Sequence, residues 1–450
     1  MNAGTWAVVS TVRAPQFMVD FFINHYRNQH ANEIHVFLDD PDCADFDCSL
    51  LNDSRVNIYI CDEKFWNSRE SKYPLMIKGR PENVEGRQFS NYLKVQEDST
   101  VDWILNVDVD EILISKYLVA AILREIPENI FMIGARTLEA VYQDFPRLED
   151  IFSTKLFKNT YTKNVEFVNK EFSRNLNANA NGFWGHRHGK GFFRRTEAIR
   201  KLSCHYPTPL NNSLLPKFQH KDIELLHFEC MTFELFHEKR LRRITGQSLT
   251  TRISANNKTR LEYFKEVYEK YGLEGSKKLY KEMNIFSGNR LDLAINSNFL
   301  VSKDINYRLN EDYKHNGIFS YHNSIIIMNF EKRLAEAKNV SALEVNDCPV
   351  FVDYELPQTG YAYLYCILNK KKYFIHPGQK GELVLYENNN AYFYKYVKNK
   401  EFFSLFFINA LEQEKFLSIK PKGEVGFWAN VCKAWEKLTF KVYEKRYLLR

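Results

Sequence analysis

The sequence lacks the cysteine patterns of metal-binding and disulfide-rich domains. Its eight cysteines include no Cys-x-x-C pair and no zinc-ligand spacing, in a chain of 450 residues that is long enough to bury an apolar core. Reduced thiols are therefore expected. A basic leader with a long apolar run is missing, and the longest later apolar stretch, near 402–411, is about half a membrane span. These absences predict a cytoplasmic protein without a transmembrane helix.

The sequence also lacks a strong charge of one sign. It has 62 Lys and Arg against 56 Asp and Glu, a net charge of +6, which is too balanced for a dedicated nucleic-acid-binding protein. We therefore expect no nucleic-acid partner, whereas anionic substrates and a membrane surface stay open. Disordered and fibrous architectures are excluded by 44% hydrophobic and 26% charged residues. Aromatic residues reach 15%, which leaves rings for flat ligands or interfaces.

The first of three zones, from 6 to about 113, alternates short apolar runs with helix-like stretches. This pattern is typical of a parallel α/β sheet. The expected strands are 6–11, 34–38, 56–60 and 103–107, and the expected helices are 15–30 and 87–97. A polar segment rich in Lys, Arg, Gly and Pro, 67–86, is expected to form a surface loop.

The other two zones differ in pattern. From 114 to about 330, strands and glycine- and histidine-rich loops precede amphipathic helices at 232–245 and 258–283. From about 340 to 430, Tyr, Phe and Val between turn signals predict a small antiparallel β module. The chain then ends in a predicted helix, 431–450, with an apolar side and a basic side. Such a helix lies on an anionic bilayer or docks onto its own domain.

Two carboxylates follow the apolar segment Trp103-Ile-Leu-Asn-Val: Asp108 and Asp110, with Glu111 next. Residues two apart on a strand point to the same side, so both are expected at the edge of the sheet where ligands enter. Because burying both unpaired is costly, a divalent cation between them and a diphosphate is expected to offset their repulsion. Hard oxygen ligands suit Mn²⁺ or Mg²⁺. An acidic strand end that merely turns the chain is the alternative.

The order of these features resembles the family 2-type glycosyltransferases with a GT-A fold. The first strand ends Val9-Ser10-Thr11-Val12-Arg13, the second ends Leu38-Asp39-Asp40, and the acidic motif has the D-x-D-E form of one branch of that family. The resemblance covers roughly 5–245. The other matching features are Arg87-Gln88, Asn91, His188-Gly189-Lys190, Arg194, His205, His227, Glu234, Lys239 and Arg242. The Q-x-x-R-W pattern of processive synthases is missing, which argues for one sugar per encounter.

The resemblance implies where a ligand binds. Thr11, Arg13 and Asp39 lie near the nucleoside of a sugar nucleotide, and Asp108 and Asp110 hold the metal ion on its diphosphate. The carboxyl ends of parallel strands converge at such a crevice, which makes the placement physically sensible. For Thr11 and Asp39, a turn-capping role is the alternative.

The histidine-rich loop adds cationic groups. It contains His186, His188, Lys190, Arg194 and Arg195. These donors can cradle a leaving diphosphate, with Lys190 as the expected contact, or they form an exposed basic turn. His205 and His227 are each expected as a third metal ligand or a proton carrier, the alternative being an ordinary core histidine.

Inverting transfer, usual in this family, requires a carboxylate that takes the acceptor hydroxyl proton. The acids in the right part of the chain are Glu139, Asp144, Asp222, Glu224 and Glu229. Of these, Asp222 and Glu224 are preferred because they lie just upstream of His227. Together with His227, they form the predicted catalytic set.

These features predict an α/β protein with a GT-A-like, Rossmann-type, mostly parallel sheet flanked by helices over 1–245. A helical extension follows over 246–335, and a small β-rich accessory module with the basic helix over 340–450. The expected function is metal-dependent, inverting, non-processive transfer of a sugar from a nucleotide-sugar donor to a glycan or lipid-linked acceptor in polysaccharide or lipopolysaccharide synthesis. The expected location is the cytoplasm or the inner face of the membrane.

Two other function classes stay open. A sugar nucleotidyltransferase also uses paired acids, but it is expected to carry a glycine-rich loop after the first strand, where this chain has Val12-Arg13-Ala14-Pro15. The other is a non-catalytic carbohydrate-binding or scaffold protein. In such a protein the aromatic third zone would carry most of the binding.

Overall fold

The computed structural model describes the chain in separate stretches. They are 3–39, 53–69, 79–159, 165–172, 182–185, 189–195, 199–201, 208–209, 217–229, 231–246, 255–305, 313–320, 323–344, 347–355, 359–369, 371–386, 390–399, 402–409, 411–420, 423–433 and 436–443. The contacts divide the chain into two compact units. The first comprises Met1–Arg124, Met132–Asn211 and Asp222–Glu311, and the second comprises Glu125–Phe131, Asn212–Lys221 and Asp312–Arg450.

A ten-stranded sheet carries the first unit, with the path order β12-β7-β6-β8-β4-β1-β2-β3 and with β5 and β11 beside it. Its strands are β1 (Trp6–Val12), β2 (Glu33–Leu38), β3 (Val56–Ile60), β4 (Trp103–Asn106), β5 (Glu111–Ser115), β6 (Met132–Val141), β7 (Leu156–Asn159), β8 (Gly191–Arg194), β11 (Phe218–His227) and β12 (Leu300–Ser302). A separate pair is formed by β9 (Ile199–Lys201) and β10 (Thr208–Pro209).

Eight α-helices lie in the described part of this unit. They are α1 (Gln16–Asn28), α2 (Glu63–Asn67), α3 (Val84–Asp98), α4 (Val119–Arg124), α5 (Val165–Glu171), α6 (Phe233–Ile244), α7 (Ala255–Asn284) and α8 (Gly288–Asn296). In α7 the backbone is non-helical at Gly272, with φ 60°. None of the described helices has the length and apolar character needed to cross a membrane.

The predicted parallel arrangement is confirmed on one side of this sheet. There β1 pairs in parallel with β2 and β4, and β2 pairs in parallel with β3. In β1, five consecutive residues, Trp6 to Ser10, are buried. Strands covered on both faces read as continuous apolar runs, which is why these strands are visible in the sequence.

The prediction of a mostly parallel sheet, however, is wrong. The pairs β4–β8, β8–β6, β6–β7, β7–β12 and β5–β11 are all antiparallel. A parallel pair needs a crossover of about a dozen residues or more, usually a helix. Residues 142–155 join β6 to β7, and their described helical element is the 3₁₀ turn Leu148–Ser153 rather than a crossover α-helix.

The range 246–335, predicted as a helical extension, contains strands as well as helices. After α7 and α8 the chain forms β12, which pairs with β7 at the edge of the first sheet. It then enters the second unit, where β13 (Asn316–Ser320) and β14 (Ser324–Asn329) are strands.

The second unit is a twelve-stranded antiparallel sheet, so the predicted β-rich module is present but is not small. After β13 and β14 come β15 (Leu334–Asn339), β16 (Phe351–Tyr354), β17 (Thr359–Leu368), β18 (Lys371–Pro377), β19 (Leu383–Tyr386), β20 (Tyr394–Asn399), β21 (Phe402–Ile408), β22 (Glu414–Ile419), β23 (Val425–Ala429) and β24 (Leu438–Val442). Pairing of β13 with β14 closes seven strands into a ring. Its core takes up many aromatic rings, including Tyr394, Tyr396 and Phe403, which accounts for part of the aromatic surplus.

The predicted basic helix over 431–450 is wrong where the structure describes it. Residues 438–442 form β24, which pairs with β13. Leu438 and Phe440 are buried while Lys441 is exposed, an alternation that fits a strand. Four-residue spacing of lysines had indicated a helix, but burial of alternate apolar residues decides the conformation. The prediction of peripheral membrane contact depended on this helix and is therefore no longer supported.

We expect Asp353→Asn to remove an acid-sensitive contribution to the stability of the second unit. Asp353 is buried and accepts hydrogen bonds from the Tyr313 and Tyr363 hydroxyls, at 2.6 and 3.1 Å. Burial opposes its ionisation, but Lys221 and Lys372 outweigh burial and lower its pKa to about 2. The unfolded pKa is about 3.9, so the contribution is full above about pH 4 and is lost as pH falls toward 2.

Urea unfolding at pH 7 and pH 2.5 measures this contribution. The wild type is expected to exceed the variant by about 2–3 kcal/mol at pH 7, and by little at pH 2.5. The exposed Glu414, changed to Gln, serves as control and is expected to leave the profile unchanged. An equal wild-type advantage at both pH values would contradict the assignment.

Candidate active site

The structure places three predicted ligand-binding residues at one edge of the first sheet. Thr11 lies near the end of β1, Asp39 follows β2 and Asp108 follows β4, and these strands run parallel. Side chains of the same helix, α3, contact all three. The α3 contacts are Asn91 Nδ2 to Thr11 Oγ1 at 3.0 Å, Arg87 Nε to Asp39 Oδ2 at 2.8 Å and Gln88 Nε2 to Asp108 Oδ1 at 2.6 Å. The site is therefore organised by α3 as well as by the strand ends.

Asp39 is bound to arginines of the chain itself. It is 5% exposed, and besides the Arg87 contact it lies 3.3 Å from an Arg80 guanidinium nitrogen. Arg87 also donates to the carbonyl oxygens of Pro81 and Glu82, which fixes its guanidinium. Arg80 is more exposed, at 44% of its side chain, so it is the partner of Asp39 that a ligand can displace.

Lys190 lies between two carboxylates. Its ammonium is 2.6 Å from Asp108 Oδ2 and 3.0 Å from Glu111 Oε2, and the lysine is 3% exposed. Glu111 Oε2 also accepts from the Asp108 backbone N–H at 2.8 Å, which closes the turn between β4 and β5. Lys190 is thus the counter-ion of the acidic motif rather than an exposed loop cation.

Burial and the neighbouring charges together set the direction in which the pKa values of Asp108, Glu111 and Lys190 shift. Desolvation disfavours ionised Asp108, but Lys190 outweighs it and lowers the pKa of Asp108. Desolvation likewise dominates at Glu111, and the Asp108 and Asp110 charges add to it, so its pKa is raised. Lys190 keeps its proton because both carboxylates raise its pKa against the effect of burial.

A second group of charged side chains gathers around Asp110. His227 Nε2 lies 3.5 Å from Glu229 Oε2 and 4.0 Å from Asp110 Oδ2, and ligand atoms of the three residues lie within 4.8 Å of one another. The antiparallel register of β5 and β11 brings them together by placing His227 opposite Glu111. Asp110, His227 and Glu229 are all buried or nearly so, and we call them the acid–histidine cluster.

The acid–histidine cluster fits a divalent cation. The two distances from His227 exceed a good hydrogen bond, but atoms each about 2.1 Å from one ion are separated by up to about 4.2 Å. Two carboxylates and an imidazole suit Mn²⁺ among the metals expected from the sequence. Lys239 Nζ, 2.7 Å from Glu229 Oε2 and 4.0 Å from Asp110 Oδ2, supplies positive charge at the same place.

Charges in the cluster reinforce one another. Burial would raise the pKa of Glu229, but Lys239 and Arg240 hold it well below its usual value. Burial would lower the pKa of His227, yet Asp110, Glu111 and Glu229 raise it. Glu229 is therefore ionised, and a divalent cation that binds the cluster competes with Lys239 and with the proton of His227.

The wall of the acid–histidine cluster is a short segment that includes Trp184 and Gly185. Gly185 has no side chain where it meets His227, since a methyl group there would lie 2.9 Å from the ring. The Trp184 and Gly185 backbone N–H groups donate to the Glu139 carboxylate. Glu139 itself is 1% exposed and lies 2.7 Å from Lys158 Nζ, its cross-strand neighbour.

The structure does not bring the preferred bases to this site. Asp222 and Glu224 lie an odd number of residues before His227 on β11, and therefore on the opposite face of the strand. Glu224 is bound instead to Arg136, at 3.0 Å, and to Lys303.

Several other predicted residues lie elsewhere or are not described. Arg13 is exposed at the end of β1. Arg194 stacks on the Trp103 ring at 4.2 Å, and Arg195 donates to the Val101 carbonyl oxygen, so neither is a free phosphate donor. His186, His188 and His205 lie outside the described residues, and the prediction of His205 as a metal ligand stays a prediction.

Glu229 and Lys239 are the site residues whose roles the sequence reasoning missed. Glu229 was weighed only as a base. A signal was present, because His227 and Glu229 are two residues apart at a strand end, the same spacing as Asp108 and Asp110. Lys239 had no such signal, since its contact with Glu229 depends on how α6 packs.

No protein-family model and no curated protein matches this sequence. Among solved structures, the chain is similar to GalNAc-T7 crystallised with UDP, GalNAc and Mn²⁺ at 10% identity, covering 97% of this chain and 81% of that one, with a TM-score of 0.23. It is also similar to S. aureus TarS at 10% identity, covering 98% and 97%, with a TM-score of 0.24. Scores this low carry no argument, so function must be argued from the site.

Proposed function

We propose that this protein is a divalent-cation-dependent glycosyltransferase that uses a nucleotide-sugar donor. The observation that carries the proposal is the joint placement of Asp110, His227 and Glu229 next to the Lys190-paired motif, at the edge where β1, β2 and β4 end. In open α/β sheets ligands bind at this edge. The acceptor is a glycan or lipid-linked glycan, and transfer is non-processive and inverting, as the family resemblance of the sequence implies.

The acid–histidine cluster would hold the cation, which we propose is Mn²⁺ or Mg²⁺. When bound, such an ion neutralises charge on the diphosphate leaving group. Asp110 and Glu229 provide carboxylate oxygens and His227 provides Nε2. This assigns His227 to metal binding rather than to proton transfer, and it moves Asp108 from metal ligand to partner of Lys190.

The nucleoside would lie against Thr11 and Asp39. Asp39 can accept hydrogen bonds from a base edge or ribose once Arg80 moves, while Arg87 keeps the carboxylate oriented. Lys239, one-third exposed on α6, is free to turn from Glu229 to a diphosphate oxygen when a cation occupies the cluster. Asp39 and Lys239 therefore each have a partner, Arg80 and Glu229 respectively, that the ligand would replace.

We expect a chelator to remove activity reversibly. Incubation with EDTA followed by desalting is expected to lower nucleotide-sugar hydrolysis or transfer at least tenfold, and MnCl₂ is expected to restore it, because the donor diphosphate then regains its counter-charge. The measurement is nucleoside diphosphate release from a panel of UDP-, GDP- and dTDP-sugars. NaCl at the same ionic strength serves as the control. Full turnover in EDTA would contradict the metal dependence.

A sugar nucleotidyltransferase is distinguished by its product. It releases pyrophosphate from a nucleoside triphosphate and a sugar phosphate, so pyrophosphate detected when these two substrates replace the nucleotide sugar would favour it. The segment after β1 contains no glycine, and Arg13 is its exposed cation, which gives no phosphate-binding loop of the usual kind.

A further inference from the structure

A buried ion pair beside the site has no role in the function proposed above. Glu139 on β6 and Lys158 on β7 are 1% and 0% exposed, and they face each other across the strands. A buried pair of charges is weak evidence for stability, because desolvation offsets most of the attraction between its members. The other contacts of Glu139 are therefore more informative about its role than its ion pair with Lys158.

Glu139 holds the segment 183–185 by its backbone. The Trp184 N–H lies 3.0 and 2.9 Å from the two carboxylate oxygens, and the Gly185 N–H donates to Oε2. On the other side, Arg260 of α7 donates to the carbonyl oxygens of Trp184 and Gly185, at 2.8 and 3.0 Å. Charged side chains thus hold every backbone polar group of these two residues.

The held segment contacts one cluster residue, His227, directly and reaches a second, Glu229, through Arg240. Gly185 packs on the His227 ring so closely that a methyl group would lie 2.9 Å from both Cε1 and Nδ1. The Trp184 ring lies 5.1 Å from the Arg240 guanidinium, and Arg240 in turn lies 3.0 Å from Glu229 Oε1. Gly185 therefore touches the face and the Nδ1 side of the ring, whereas Nε2 is turned toward Asp110 and Glu229.

We propose that Glu139 is a positioning residue: through the 183–185 segment it holds the His227 ring and the Glu229 carboxylate where they bind the divalent cation. The inference rests on the proposed function. Residues behind the direct ligands fix ligand orientation, and their loss commonly weakens metal binding by about 10–100-fold. Glu139 never touches substrate, since it is covered by Lys158 and the segment it holds.

The test uses Gly185→Ala in the full chain, which disturbs the contact with His227 without removing a buried charge. Mn²⁺ binding without substrate is measured by isothermal titration calorimetry, and we expect at least tenfold weaker binding than in the wild type. Gly246→Ala is the control, because its methyl group meets nothing within 4 Å; its φ of 76° adds backbone strain that Gly185, outside the left-handed region, does not have. The control is expected to bind Mn²⁺ as the wild type does.

A metal-free readout separates this inference from the proposed function. In protein labelled with ¹³Cε1-histidine, the His227 resonance, assigned with His227→Asn, is expected to shift in Gly185→Ala and to stay in place in Gly246→Ala. Glu139→Gln is expected to move the same resonance if the variant folds as judged by circular dichroism. An unmoved resonance and unchanged Mn²⁺ binding in Gly185→Ala would overturn the inference. Absence of Mn²⁺ binding in the wild type would contradict the metal assignment instead, and the resonance alone then decides the positioning role.

Discussion

Replacing Asp110 with alanine is expected to lower Mn²⁺-dependent turnover of a nucleotide sugar by about 10²–10³-fold, the loss seen when one preorganised electrostatic group is deleted. Asp110 is buried, and its carboxylate lies 4.0 Å from His227 Nε2 and 4.0 Å from Lys239 Nζ. Asp108 does not duplicate it, because Asp108 is occupied by Lys190 and Gln88. The measurement is the initial rate of nucleoside diphosphate release at saturating donor.

Asp98→Ala is the control for Asp110→Ala. Asp98 ends α3 in an exposed pair with Lys94, and its loss is expected to change the rate less than twofold. Mn²⁺ titration of both variants separates binding from chemistry. If Asp110→Ala keeps wild-type rate and wild-type Mn²⁺ affinity, the acid–histidine cluster is not the metal site.

The second large effect is expected from Lys190→Met. Removing this ammonium leaves Asp108 and Glu111 without their shared counter-ion, and breaking a buried ion pair on one side costs about 3–5 kcal/mol. We expect about 3 kcal/mol, the lower end of that range, because the Asp108 side chain is 39% exposed and water can partly replace the lysine. Urea unfolding at pH 7 followed by tryptophan fluorescence measures the loss, since Trp103 and Trp6 lie in the same sheet.

Lys155→Met provides the comparison for Lys190→Met. Lys155 is 63% exposed and paired with Asp304 at the surface, so its loss is expected to cost less than about 1 kcal/mol. Equal effects of the two substitutions would show that Lys190 is not the electrostatic centre of the motif. Equal nucleotide-sugar turnover in wild type and folded Lys190→Met would separate its structural role from substrate binding.

The parallel half of the first sheet was predictable because its signal is local. β1, β2 and β4 are mostly apolar since they are covered on both faces, and the polar residues that the motif reasoning selected lie at or just after their ends. The antiparallel half was not predictable in this way. β8 has four residues, and β11 reads Phe218-Gln-His-Lys-Asp-Ile-Glu-Leu-Leu-His227, in which charged residues alternate without showing which strand they join.

The site residues divide in the same way, into those with a local sequence signal and those without one. Asp108 and Asp110 were found from spacing along the chain and His227 from the family resemblance, whereas the contacts of Glu139 depend on the register of β6 and β7 and those of Lys239 on the packing of α6. The proposed bases failed to reach the cluster for a reason visible only with the strand assigned. Once β11 is a strand, odd spacing turns Asp222 and Glu224 away from His227.

The C-terminal module shows how a local pattern misleads. Lysines at four-residue spacing, Lys433, Lys437 and Lys441, fit a helix, but the same stretch carries Leu438 and Phe440 at strand spacing. Burial against β13 stabilises the second arrangement, because a charged helix face gains little from solvent contact. Composition had placed the aromatic residues in this zone, and the structure gives many of them an ordinary role in its core.

The central claim is that a divalent cation binds Asp110, His227 and Glu229. The most direct measurement is an anomalous difference map, recorded at the manganese absorption edge, from crystals of the full chain grown with MnCl₂ and a nucleoside diphosphate. We expect one anomalous peak about 2.2 Å from an Asp110 carboxylate oxygen and from His227 Nε2, with Glu229 beside it. A peak bound by Asp108 with His227 outside contact distance, or no peak at this edge of the sheet, would contradict it.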